Sequence, residues 1–168
     1  MTTRSVTHGT FIIERIYGAQ PSRVFAALSD PAEKTRWFHG PEEWGPDDYS
    51  MDFREGGLEV SRGGPPGGPV FGYEARFEDI VPDERIVSTY VMHQDDKRIS
   101  VSLAIVDLQP EGLGTRLTFT ESGAYLDDFD KPEVREHGTA EILDALGTYL
   151  SGERTGASPT PTPASEGR

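Results

Sequence analysis

The chain contains no cysteine. Disulfides, thiolate metal sites and a cysteine nucleophile are therefore excluded, although the absence does not fix a compartment. Histidine is scarce: His8 is terminal, His39 reads as loop, His93 ends a strand and His137 precedes the last helix. None sits in a metal-binding arrangement such as H-E-x-x-H, so neither metal nor other cofactor is expected. No segment approaches the roughly 20 apolar residues of a membrane span. Met1 to Thr10 lacks the apolar core of a signal peptide, which leaves a cytoplasmic location as the expectation. Basic residues are few, with Lys+Arg 16 against Asp+Glu 29 and a formal charge of -13. Sustained phosphate contact needs a basic surface, so nucleic acid and anionic membrane are not expected partners. Glu42-Glu43, Asp47-Asp48 and Asp127-Asp128-Asp130 read as solvated surface, with a basic partner protein as the alternative. No G-x-S-x-G, Walker A or G-x-G-x-x-G motif stands at a strand–helix junction. The glycines of Gly63 to Gly68 are interrupted by prolines, which lack the N–H groups of a phosphate cradle.

What is present is enough for one domain with a sizeable core in 168 residues. Phe11 to Tyr17 predicts a first strand, broken by Gly18. Two short helices follow back to back. Pro21 suits a first helical position, and Val24, Phe25 and Leu28 share a face. Asp30 is a good N-cap, Pro31 a good first residue, and Glu33 is placed to reach back as in a capping box. The second helix is expected to end in Trp37-Phe38. Strands are then predicted over Tyr49–Phe53, Leu58–Ser61, the one-sided alternation Phe71–Glu78, Arg85–His93, Arg98–Leu108 and Thr115–Ser122. Short turns between them imply an antiparallel meander. Ile142, Leu143, Leu146, Tyr149 and Leu150 form the apolar stripe of a closing helix, with Gly152 as its C′ residue. From Arg154 to Arg168 the sequence is Ser/Thr/Pro/Gly-rich and reads as a disordered tail.

An antiparallel sheet with one apolar face must cover it, and only the last helix is long enough. A curved sheet gripping that helix leaves a concave space, the usual place for a small ligand. The expected fold is thus α+β, a helix-grip domain over residues 10–153. The pattern A-x-P-x-x-V-F-x-A-L-x-D-P at Ala19 to Pro31, followed by Trp37-Phe38, resembles the START-like (SRPBCC, Bet v 1-like) superfamily. Within it the chain is most similar to the activator of heat-shock-protein-90 ATPase homologue family. The resemblance spans roughly Thr10 to Glu153 and includes Ile142-Leu143-Asp144-Ala145-Leu146. Two departures stand out. The family often places an aromatic residue, usually Trp, just after the Gly that opens the last helix, whereas Gly138 is followed here by Thr139. The eukaryotic co-chaperones that name the family carry an additional domain for which this sequence has no room, so direct chaperone activation is not expected to carry over.

The candidate ligand contacts are Trp37, Phe38, Met51, Phe53, Tyr73, Tyr90, Met92, Leu103, Phe119, Ile142 and Leu146. Tyr73, Tyr90 and Met92 sit mid-strand on faces that this fold turns toward its cavity, and a buried tyrosine hydroxyl needs a partner. Tyr90 and Leu146 are expected on opposite walls. No catalytic residue is assigned. Arg15, Glu121 and Asp107 are charged residues in β-rich runs; they face solvent or pair, or one turns inward to anchor a polar group. The face of Arg15 is undecided, because Ile12 and Ile16 compete with Phe11, Ile13 and Tyr17 for the core.

The leading expectation is binding of a small hydrophobic or aromatic molecule without covalent chemistry. A cyclase- or hydratase-like enzyme using cavity polar groups is the alternative, and a module that modulates a chaperone or other partner is the third class. Three observations separate them. A buried, charge-paired carboxylate beside Tyr90 favours the enzyme, a purely apolar cavity the binder, and a filled core beside an exposed apolar patch the interaction module.

Overall fold

Residue parity along the first strand decides which way the sheet faces. In the computed structural model, which describes residues 3–155, β1 (Val6–Tyr17) buries Phe11, Ile13 and Tyr17 and leaves Ile12 and Ile16 exposed. Aromatic rings at the first and last of these positions outweigh the two isoleucines. Arg15 therefore lies on the inner side, where its Nε donates to Asp144 Oδ1 at 2.7 Å. The strand begins at Val6 rather than Phe11, because pairing continues to Val6↔Leu126.

Two helices follow. α1 (Pro21–Ser29) buries Val24, Ala27 and Leu28. α2 (Pro31–Lys34) is a single turn. Asp30 caps it by accepting a hydrogen bond from the Ala32 N–H. The capping box does not form. Glu33 instead takes the Arg23 guanidinium and the Tyr149 hydroxyl, 2.7 Å away on the last helix. Two charge-assisted partners outcompete one backbone N–H. Trp37-Phe38 falls past the end of α2, and Trp37 Nε1 donates to the Ala27 carbonyl at 3.1 Å.

A 3₁₀ turn at Glu42–Trp44 leads into β2 (Asp48–Met51), β3 (Leu58–Gly63), β4 (Phe71–Val81), β5 (Arg85–Gln94), β6 (Lys97–Glu111) and β7 (Gly114–Leu126). All pairings are antiparallel, in the order β1-β7-β6-β5-β4-β3-β2. The hairpin corners at Asp83 and Asp95 adopt left-handed backbone, with φ of 64° and 55°. Aspartate tolerates this conformation through local hydrogen bonding.

The curled sheet wraps one long helix, α3 (Pro132–Thr155), giving the α+β helix-grip architecture. α3 starts earlier than its apolar stripe, so His137 lies inside it rather than before it. It also runs through Gly152, which is not its C′ residue. The start of α3 presses on β1. A Cβ at Gly9 would lie 2.7 Å from Pro132 Cγ, so that strand position must be glycine or the helix must move. Most of the sequence expected to be a tail lies outside the described residues.

The main core lies between β1, β7, α1 and the C-terminal half of α3. Val24, Ala27, Leu117 and Leu146 are completely buried there, with Tyr17 and Leu150 beside them. Tyr17 also donates to the Leu143 carbonyl at 2.7 Å, tying β1 to the helix. A smaller cluster of Ala75, Tyr90 and Ala104 sits on the other half of the sheet.

Candidate functional site

Between that other half of the sheet and the N-terminal half of α3 lies a cavity of about 560 Å³. This is the size range of small-molecule sites. The sheet lines it with Tyr73, Tyr90, Met92 and Phe119 among smaller residues such as Ser61, Ser88 and Ala104. On the helix side Gly138 and Thr139 face the space, and a Cβ added at Gly138 would meet nothing within 4 Å.

Two carboxylates reach into this space from opposite halves of the sheet. Glu121, on β7, is 1% exposed. Its Oε1 accepts a 2.6 Å hydrogen bond from the Tyr90 hydroxyl, and its Oε2 a longer one, 3.4 Å, from Tyr125. Arg135, from α3, donates to the Tyr90 oxygen at 2.8 Å, to Ser100 Oγ at 2.7 Å and to Asp130 Oδ2 at 2.6 Å. Its guanidinium lies 3.7 Å from Glu121. Burial raises the Glu121 carboxyl above its ordinary range, against the pull of the Tyr90 hydrogen bond and the Arg135 charge. Burial likewise pushes the Tyr90 phenol up; Arg135 works against it and Glu121 with it. Burial opposes the Arg135 charge, yet Tyr90, Asp130 and Glu121 more than offset it and hold the guanidinium firmly protonated.

Glu59, on β3, is equally buried. Lys34, at the end of α2, places Nζ 2.6 Å from its Oε2 and 2.9 Å from its Oε1. The Tyr49 hydroxyl donates to Oε2 at 2.5 Å, and Tyr73 approaches Oε1 at 3.5 Å. Burial, and then the nearby Glu59 charge, keep both phenols protonated. The Lys34 ammonium also sits 4.7 Å from the centre of the Phe38 ring. The Tyr73 and Tyr90 rings, 4.9 Å apart, stand between the two carboxylate clusters. Among the described residues no group of three or more His, Cys, Asp or Glu side chains comes together as a metal site.

Of the residues the sequence singled out, Trp37, Phe38, Tyr73, Tyr90, Met92, Phe119 and Ile142 line the cavity. Four do not. Leu103 lies on the outer face, 40% exposed, since its neighbours Ser102 and Ala104 take the inner positions. Leu146 is fully buried in the main core, not opposite Tyr90; the stripe of α3 spans both regions and Leu146 falls in the filled one. Met51 and Phe53 also pack on the main core, Phe53 edge-on to Phe25 and Phe77 with centroids 5.6 and 4.9 Å apart. Of the three charged strand residues, Glu121 is the one that lines the cavity.

Lys34, Glu59 and Arg135 were missed. Glu59 and Ser61 face inward while Leu58 is 47% exposed, an inversion of the usual reading of a short Leu-Glu-Val-Ser strand. Arg135 lies ahead of the apolar stripe that marks α3, so only its helical phase, one turn before Thr139 and two before Ile142, pointed inward.

The family described as "Activator of Hsp90 ATPase homolog 1-like protein" matches residues 18–151. The chain belongs to this family. Its membership is consistent with a ligand-binding or a partner-modulating role. Among solved structures, the Mll3558 protein of Rhizobium loti is 48% identical, over 86% of this chain and 99% of that one, with a TM-score of 0.80. An uncharacterised protein of Rhizobium leguminosarum is 40% identical, over 90% and 99%, with a TM-score of 0.86. The CV1439 protein of Chromobacterium violaceum is 26% identical, over 84% and 96%, with a TM-score of 0.71. A comparison with curated protein sequences gives no significant match. No described helix is long and apolar enough to cross a membrane.

Proposed function

We propose that the protein binds a small, largely apolar, ring-bearing molecule between the sheet and the N-terminal half of α3, without covalent chemistry. The observation that carries this reading is the cavity of about 560 Å³, walled by aromatic rings and by two carboxylates whose polar partners come from the protein itself. The contacts would be Trp37, Phe38, Tyr73, Tyr90, Met92, Phe119 and Ile142. Because the clusters are satisfied internally, they hold the tyrosine rings in place at little cost to an apolar guest. The test is native mass spectrometry of protein purified from its own host, with titration of a fluorescent hydrophobic probe alongside. Absence of both a co-purified small molecule and probe binding that Thr139→Trp abolishes would overturn this reading.

A second reading, general acid–base catalysis, is favoured by one specific observation: Glu121 is the buried, charge-paired carboxylate beside Tyr90 that an enzyme would need. It ranks second because the Tyr90 proton is committed to Glu121 and both Glu121 oxygens already accept protein hydrogen bonds. A general acid or base must direct a proton or lone pair at the substrate. Turnover of a bound compound that falls at least about 100-fold in Tyr90→Phe would reverse the ranking.

A further inference from the structure

Charge, more than shape, distinguishes what this cavity can accept. Four carboxylates line it, from Asp47, Glu59, Glu121 and Asp130, against two permanent cations, Lys34 and Arg135; His39 is the remaining ionisable side chain apart from the tyrosines. Both cations are already engaged. Lys34 is held by Glu59, and Arg135 by Asp130 with Glu121 close by. Asp47 differs from the other three. It has no ion pair among the described residues, and its Oδ2 receives only long contacts of 3.4 Å from the Gly40 N–H and Ser61 hydroxyl. Trp44 and Phe71, stacked with centroids 5.7 Å apart, line the same wall. Even where burial leaves Glu121 neutral, three carboxylates face two occupied cations.

We propose that the cavity selects an aromatic amine, its ammonium directed to Asp47 and its ring among the aromatic side chains, and that it rejects organic anions. An entering carboxylate would find no free cation and would be desolvated beside like charges. An ammonium gains the unpaired Asp47 carboxylate and the negative faces of aromatic rings. A neutral alcohol of the same shape falls between. The inference rests on the reading of the cavity as a small-molecule site and names the chemistry of the occupant.

Three probes of one shape test it: naphthylmethylamine, naphthylmethanol and naphthoate, titrated by calorimetry at neutral pH into the full chain. The expected order is amine, alcohol, carboxylate, with at least about tenfold between the first and last. Asp47→Asn should bring the amine down to the affinity of the alcohol and leave the alcohol unchanged. Glu59→Gln frees Lys34, and naphthoate should then gain about tenfold. If that buried variant does not fold, Asp47→Asn, nearer the surface, still decides. Naphthoate binding as tightly as the amine, or an amine preference that survives Asp47→Asn, overturns the charge selection but leaves the small-molecule site intact. No binding of any probe overturns both.

Discussion

The two halves of α3 pack against the same sheet and do opposite things. The C-terminal half inserts Leu146 and Leu150 into a dense core with Val24, Leu117 and Tyr17. The N-terminal half offers Arg135, Gly138, Thr139, Ile142 and Leu143 to a cavity whose sheet wall includes Tyr73, Tyr90, Met92 and Phe119. Apolar packing of the first kind fixes the helix to the sheet; the second kind leaves space that the helix is too rigid to close. The site is held open from both ends of the helix. The filled end anchors α3, and the Arg135–Glu121 cluster props the open end.

Removing the prop should have the largest effect. Arg135→Met leaves Glu121 and Asp130 without their buried cation, and breaking one side of such a pair costs about 3–5 kcal/mol. Chemical denaturation should show that loss; a change below about 1 kcal/mol would mean that the open end needs no prop.

The filled end is tested next. Leu146→Ala should cost about 2–5 kcal/mol through the void it leaves. Leu146→Phe should cost about 1–3 kcal/mol by overpacking, since no cavity adjoins it. A Phe variant of unchanged stability would put Leu146 back on the cavity wall.

Thr139→Trp sharpens the contrast from the open side. An indole there has space to occupy, so stability should shift by about 1 kcal/mol or less, below the overpacking cost of a filled core. Hydrophobic-probe fluorescence should meanwhile be lost. A destabilisation like that of Leu146→Phe would mean that both ends are equally full.

The smallest effect is a pH dependence. The Glu121 carboxyl is raised in the folded state, so its ionisation weighs on folding. Its contribution is absent where both states hold the proton and becomes unfavourable as pH rises from the ordinary carboxylate range through the raised value. Glu33 has the opposite sign: its Arg23 hydrogen bond lowers its pKa, and the stability it brings is lost as pH falls through that lowered value. Melting temperatures across mildly acidic to neutral pH should therefore decline less steeply in Glu121→Gln than in the parent. Parallel profiles would show that Glu121 titrates normally.

Much of the fold was legible because it rests on short-range patterns. The Ala19–Pro31 motif, the Phe71–Glu78 alternation and the stripe Ile142–Leu150 each report on neighbours within a turn or a pleat. Seven of the proposed ligand contacts line the cavity for the same reason: parity on a strand, or phase on a helix. Leu103 failed because parity cannot say which face is inner when Ser102 and Ala104 are small enough to be buried. Leu146 failed because the stripe has no marker for where core ends and cavity begins. Glu59, Lys34 and Arg135 were illegible for a different reason. A buried charge makes sense only beside its partner, and Glu59 meets Lys34 from 25 positions away in the chain.

The sequence by itself determined the element order, the antiparallel meander, the family and the net negative charge, since each is written in local pattern or composition. The tertiary structure alone decided which acidic residues turn inward, which cations neutralise them, and where along α3 packing gives way to space. Those outcomes depend on groups far apart in the chain meeting in a low-dielectric interior, where a pair, its desolvation and the room around it are fixed together.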